Sequence, residues 1–225
     1  QFPFIKQIVP SHDINKNFKL LSSLKKRYPE AEIELMVNEG CLQGCPNRAF
    51  HELIPMDNSA IADNNMWLSP FFSIEFCNYV FREYPYHHLV IGNHIFPWEI
   101  EEYSKIGINK FKLVGRDGFE HFENYINAYT MYLKGIDDIR AIDDFLLTNF
   151  FHHMINFKFR ITQNLKVKDY KKYLPDIKHF VKYGHLCSSR CGVECRYCYK
   201  CADKIKKEYQ KRQEKRKLKD VSPCC

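Results

Sequence analysis

Apolar positions in the first half of the chain switch between strand-like runs and helical spacing, and that alternation predicts the elements. Ile5 to Pro10 reads as a strand, and Asn15 to Tyr28 as a helix with Phe18, Leu20, Leu21 and Leu24 at helical spacing and Pro29 closing it. Glu32 to Asn38, carrying Ile33, Leu35, Met36 and Val37, reads as a second strand that runs into Glu39, Gly40 and Cys41. His88 to Gly92 is predicted as a short buried strand, and Phe111 to Gly115 as a fourth. Between them, Pro97 to Ile106 reads as a helix, with proline in its first turn and Gly107 just past its end. Another helix is predicted from about Phe119 to Leu133.

Strands that alternate with helices imply an α/β fold with parallel strands, because each helix returns the chain to start the next strand. The expected architecture is a (β/α) barrel or partial barrel with parallel strands, plus a helical, cysteine-rich C-terminal region. Four strands suit a half-barrel or a small open sheet, whereas a closed barrel has eight. The chain is then a fragment, or pairs with a second chain that completes the barrel, or is a reduced variant. The domain reading is a barrel portion over 1–135, a helical extension over 136–186, a cysteine-rich metal-binding segment over 187–203 and a basic tail over 204–225. In such folds chemistry sits beyond the carboxyl ends of the strands, which here carry Asn38 to Cys41, Asn93 and His94, and Arg116 and Asp117.

Composition narrows the class. Hydrophobic residues make up 45% of the 225 positions and aromatics 15%, enough for a packed core and against a disordered chain. No apolar run approaches the roughly 20 residues that cross a bilayer, and the start at Gln1 lacks the pattern of a secretory signal. A cytoplasmic, non-membrane protein is expected. The +7 charge is local: nine Lys or Arg lie between Lys204 and Lys219 against Glu208 and Glu214, so the rest of the chain is about neutral. A solvated helix and an RNA contact both account for such a tail.

The ten cysteines, at 41, 45, 77, 187, 191, 195, 198, 201, 224 and 225, change the picture most. Disulfide frameworks spread cysteines so that each bridge closes a sizeable loop. Here five fall within fifteen residues at spacings of four, four, three and three. Short spacings aim several thiolates at one centre and suit chelation. Cys41 and Cys45, just after a strand with Pro46 following, form a two-ligand half-site, which Cys77 and one C-terminal cysteine would complete. The predicted metal ligands are Cys41, Cys45, Cys77, Cys187, Cys191, Cys195, Cys198 and Cys201, holding one or two 4Fe–4S clusters, or alternatively zinc. Cys191, Cys195 and Cys198 also match the three-cysteine spacing of radical S-adenosylmethionine enzymes, with Tyr197 before the last. Only 27 residues follow Cys198, which disfavours that reading. Glu39 and His51 are candidates for proton transfer. Lys112, inside a strand expected to be buried, and Arg116 at its end are candidates for holding an anionic substrate.

Residues Asn38 to Cys41 with Cys45, Pro46, Arg48 and His51, then Ile95 to Ile100 with Tyr103 and Gly107, then Phe111 to Arg116, resemble the collagenase-like peptidase family U-32 over roughly residues 5–135. The resemblance implies the later strands of a TIM-barrel scaffold and an iron–sulfur protein, with Cys41 and Cys45 as cluster ligands and Cys77 as a third. It also implies oxygen-independent hydroxylation of a small molecule or of RNA. The expected activity is thus an iron–sulfur-dependent modification of an anionic small molecule, a peptide or RNA. The alternatives are a non-catalytic zinc or cluster module docking on RNA through its basic tail, and a peptidase. Neither a Gly-x-Ser-x-Gly elbow nor a His-Glu-x-x-His zinc helix is present for the last.

Overall fold

The computed structural model describes residues 4–39, 42–45, 48, 85–114, 123, 126, 127, 129, 130, 133, 134, 171–187, 190 and 192–220, with backbone alone at 85, 88, 89 and 216–220. Among them the strands β1 (Gln7–Ile8), β2 (Glu32–Met36) and β3 (Lys110–Lys112) form one parallel sheet in the order β1-β2-β3. The fold is thus mixed helix and strand around a small parallel sheet.

The first unit is a strand–helix–strand crossover. Helix α1 (Phe18–Arg27) starts where Asn17 accepts a hydrogen bond from Leu20 N at 3.1 Å, satisfying an otherwise unpaired first-turn amide. It ends at Tyr28, before Pro29, where the restricted backbone ahead of a proline stops it. Strand β2 alternates as its sequence demands: Ile33 and Leu35 are buried, while Glu32 stays in solvent. Phe18 and Leu21 of α1 join them in the core. Each such buried side chain is worth about 1.5–3 kcal/mol over exposure.

The expected strand at His88–Gly92 is instead helix α2 (Pro85–Ile91). A short apolar run cannot be assigned by periodicity alone, and the proline at its first position favours a helical start. Only Gly92 keeps β character, in a single antiparallel bridge to Leu42. The predicted helix after Pro97 begins as a 3-10 turn (Pro97–Glu99) and continues as α3 (Ile100–Ser104). Gly107 follows with φ +80°, the left-handed conformation that glycine takes at no steric cost. Positions 123, 126, 127, 129, 130 and 133 are helical, within the predicted 119–133 segment.

Toward the C-terminus, helix α4 (Ile177–Tyr183), capped by the Asp176 side chain on Lys178 N, is followed by a 3-10 turn (Gly184–Leu186). The last element is α5 (Tyr197–Asp220), one helix of 24 residues that runs from the end of the predicted cysteine-rich segment into the basic tail. Its inner stripe is Cys198, Cys201, Ala202 and Ile205, all buried in the same core as the sheet. Helix α2 packs on α5, with Tyr86 against Tyr209 (5.9 Å between ring centres) and His87 against Tyr199 (5.1 Å). No helix among the described residues is long and apolar enough to cross a membrane.

Candidate functional site

The carboxyl ends of β1 and β2 gather a cluster of polar side chains. After β1 the chain makes a 3-10 turn at His12–Ile14, held by the Ser11 hydroxyl on Asp13 N. After β2, Val37 N donates to Lys112 O (3.0 Å) and Ile95 N to Val37 O (2.8 Å), which extends the sheet past its last formal pair. Asn38 then pairs both ways with the Val114 backbone, donating to its carbonyl at 2.7 Å and accepting from its amide at 2.8 Å. These bonds fix where Glu39 leaves the strand.

His12, Asp13, Glu39 and Arg48 meet there. Arg48 forms an ion pair with Asp13 and directs Nη2 to His12 Nδ1 at 3.2 Å. Glu39 Oε2 lies 3.6 Å from the same His12 nitrogen. Nδ1 thus has two uses: as a lone pair it accepts from Arg48, and carrying a proton it faces Glu39. Asp13 also accepts from Gly44 N and Asn93 Nδ2, each at 3.3 Å. Gly44, at φ +64°, lets the 42–45 loop turn into this contact. Below the cluster, buried Asn15 donates to Met36 O and Asn93 O, and Tyr103 donates to Asn15 O. Burial holds the Tyr103 hydroxyl well above its ordinary pKa, so this donor keeps its proton.

Cys45 stands in the same loop. Its amide donates to Leu42 O at 3.2 Å and its carbonyl accepts from Arg48 N at 3.2 Å, so the half-buried thiol is carried on a turn one step from the polar cluster. The loop is joined to α2 by Gln43 N on Ile91 O (3.1 Å). Because α2 also packs on α5, the Cys45 loop and the helix of Cys198 and Cys201 bear on one shared element.

Cys45, Cys195 and Cys201 are free thiols. Thiolates are the right donors for iron–sulfur or zinc, but among the described residues no group of three or more His, Cys, Asp or Glu is placed to hold a metal ion. Cys41, Cys77 and Cys191 lie outside the described residues, as do His51 and Arg116. Burial pushes the Cys201 thiol above its usual pKa, against the opposing pull of Lys204 and of its hydrogen bond to Tyr197. Cys195 is half-buried, and its Sγ is 3.7 Å from His179 Nε2. Burial lowers the His179 pKa, with Asp176 working the other way.

Lys112 departs from its expected setting. Its expected setting is a buried strand, but β3 is at the edge of the sheet formed by the described residues and the Lys112 side chain is exposed, while Phe111 is half-buried. In solvent the ammonium needs no anionic partner, so the argument from burial lapses. The residues that sequence reasoning passed over are Ser11, His12, Asp13 and His179. The first three had a usable signal, since they directly follow the first predicted strand, where this class of fold puts its chemistry. His179 had none in the sequence. No family model, curated protein or solved structure matches the chain.

Proposed function

We propose that the chain is an iron–sulfur protein of partial (β/α)-barrel type, related to the U-32 peptidase-like proteins, that modifies an anionic small molecule, a peptide or RNA. The observation that carries this reading is the position of Cys45: a free thiol on a glycine turn beside His12, Asp13, Glu39 and Arg48, beyond the carboxyl ends of parallel strands. The ligands would be Cys45 together with Cys41, Cys77 and one cysteine of the 187–201 segment. A bound cluster would supply one-electron chemistry or a Lewis-acidic iron. The chain's own groups do the rest. His12 Nδ1 takes a proton from Glu39 only when it gives up the hydrogen bond from Arg48, so the two contacts at that nitrogen would alternate as the proton moves. Anaerobic reconstitution of the purified chain with iron and sulfide tests this. The expected result is a brown protein with thiolate-to-iron absorption, weakened by Cys45→Ala. A chain that stays colourless contradicts it.

A second reading, docking on RNA, is favoured by the orientation of α5. Lys204, Lys206, Lys207 and Lys211 are all exposed while Ile205 is fully buried, so the basic side chains line the outer face. Deleting the tail would remove Ile205 and the Tyr209 contact and so damage the core. Replacing the four lysines by Gln is the cleaner test. Weaker RNA binding with a shallower salt dependence supports docking, by about one unit of slope per lost phosphate contact. Unchanged binding rejects it.

A further inference from the structure

The geometry points to a mononuclear, zinc-class metal site in the C-terminal region, with the His179 imidazole and the Cys195 thiolate as two of its ligands. The site does not rest on the cluster reading; it withdraws Cys195 from the cysteines a cluster would use.

The imidazole is held before any metal arrives. His179 lies in the first turn of α4, with its ring stacked on Tyr197 at 3.7 Å and 13° between planes. Tyr183 packs beside it at 5.2 Å. Tyr197 is itself tied down, since its hydroxyl accepts from Asp176 N at 2.9 Å, closing α4 onto the start of α5. The ring therefore has little freedom to turn, and its Nε2 faces the Cys195 sulfur.

Cys195 is held as firmly. Its carbonyl accepts from Gly192 N at 3.0 Å, and its amide reaches Arg190 O at 3.4 Å. Gly192 has φ +82°, a conformation a side-chain-bearing residue rarely adopts, so this tight turn depends on glycine. The result is a thiol on a knuckle immediately ahead of a helix, half open to solvent.

The separation of the two donor atoms matches a metal edge. Zinc bonds of about 2.3 Å to sulfur and about 2.0–2.1 Å to nitrogen, at a tetrahedral angle, put the two ligand atoms about 3.6 Å apart. The Cys195 Sγ to His179 Nε2 distance is 3.7 Å. An ion bridging them would leave their separation almost unchanged. The remaining positions of the tetrahedron fall to water or to a further thiolate. A thiolate with an imidazole favours zinc over calcium or magnesium, which take oxygen donors.

Cobalt(II) alone is the probe, added anaerobically under reducing conditions to the full chain after chelator treatment. The expected result is one tightly held cobalt with tetrahedral ligand-field bands and thiolate-to-cobalt absorption, competed off by zinc. Cys195→Ser and His179→Gln are each expected to weaken it at least tenfold; the Gln side chain retains hydrogen-bonding groups but is a poor ligand. His179→Cys, which restores a ligand, should recover binding with stronger thiolate-to-cobalt absorption. Far-ultraviolet circular dichroism confirms that each variant is folded. Failure of the wild-type chain to bind cobalt, or an affinity unchanged in either Cys195→Ser or His179→Gln, overturns the site and leaves the pair as an ordinary hydrogen bond. Iron and sulfide counted in the same preparations report on the cluster separately, so either reading can fail alone.

Discussion

The end of the sheet and the cysteine-bearing C-terminal helix solve opposite problems. At the sheet end, charged and polar side chains from distant parts of the chain satisfy one another: Arg48 with Asp13, Asn93 with Asp13, Asn15 with the β2 backbone. In α5 the notable groups are thiols placed among apolar neighbours. Cys198 and Cys201 share one stripe with Ala202 and Ile205. Removing a partner at the sheet end strands a polar group, which costs about 1–3 kcal/mol. Removing a thiol from α5 leaves a small cavity. The contrast teaches that a three-residue cysteine spacing on a helix has two uses. It aims two sulfurs at a metal, and it also fills the i, i+3 stripe by which a helix packs.

The segment ahead of α1 also meets α4 and the turn that follows it, and the strongest predictions break that contact. Lys16 and Glu99 form a buried pair at 2.6 Å, with side chains 6% and 3% exposed. The Lys16 ammonium also lies 5.3 Å from the centre of the Phe180 ring on α4. Glu99→Ala strands that ammonium and the Phe96 amide, which also donates to Glu99. A loss of about 3–5 kcal/mol is expected, read from the denaturant midpoint, with much of it recovered in the double variant Lys16→Met/Glu99→Leu. A single-variant loss under about 1 kcal/mol would contradict the buried pair.

Next in size is Gly184→Ala. The backbone there is ordinary for alanine, but an added Cβ would fall 1.9 Å from Lys16 O. The C-terminal turn and the start of α1 must separate, at a cost of about 2–3 kcal/mol, seen as a lower melting temperature. A neutral substitution would mean the two elements do not touch there.

The smallest effect is a pH dependence at the α2–α5 contact. Burial lowers the His87 pKa, with Asp203 opposing and Lys206 reinforcing. The unfolded chain takes up this proton near its ordinary value of about 6.5, and the folded chain only at lower pH. Below that value the unfolded state binds more protons, so stability falls as pH drops from neutrality through the lowered folded pKa. His87→Gln should flatten that part of the stability profile. An equally steep profile in the variant would assign the slope to other groups.

Much of this architecture was readable from the residues. Ile33 and Leu35 alternating with charged neighbours marked β2, and Asn17 and Pro29 bracket α1 within the predicted span. Pro97 and Gly107 marked the α3 region. The run at 88–92 misled because its apolar residues fit either period, and its packing on a helix more than a hundred residues later decided the outcome. The polar cluster was half legible. Glu39 follows a strand, and Arg48 lies in the cysteine loop, but their meeting with His12 and Asp13 depends on the β1–β2 pairing, a long-range contact no local pattern encodes. The same holds for His179 and Cys195, sixteen residues apart and brought together by Tyr197 stacking.

The central claim is that sulfur from the Cys45 loop holds iron. It is tested most directly by counting iron and acid-labile sulfide per chain after strictly anaerobic isolation from cells, for the wild type and for Cys45→Ala. The account predicts matched iron and sulfide in the wild type and a clear loss of both in the variant. Wild-type protein that carries zinc alone, or iron that is indifferent to Cys45→Ala, would contradict it.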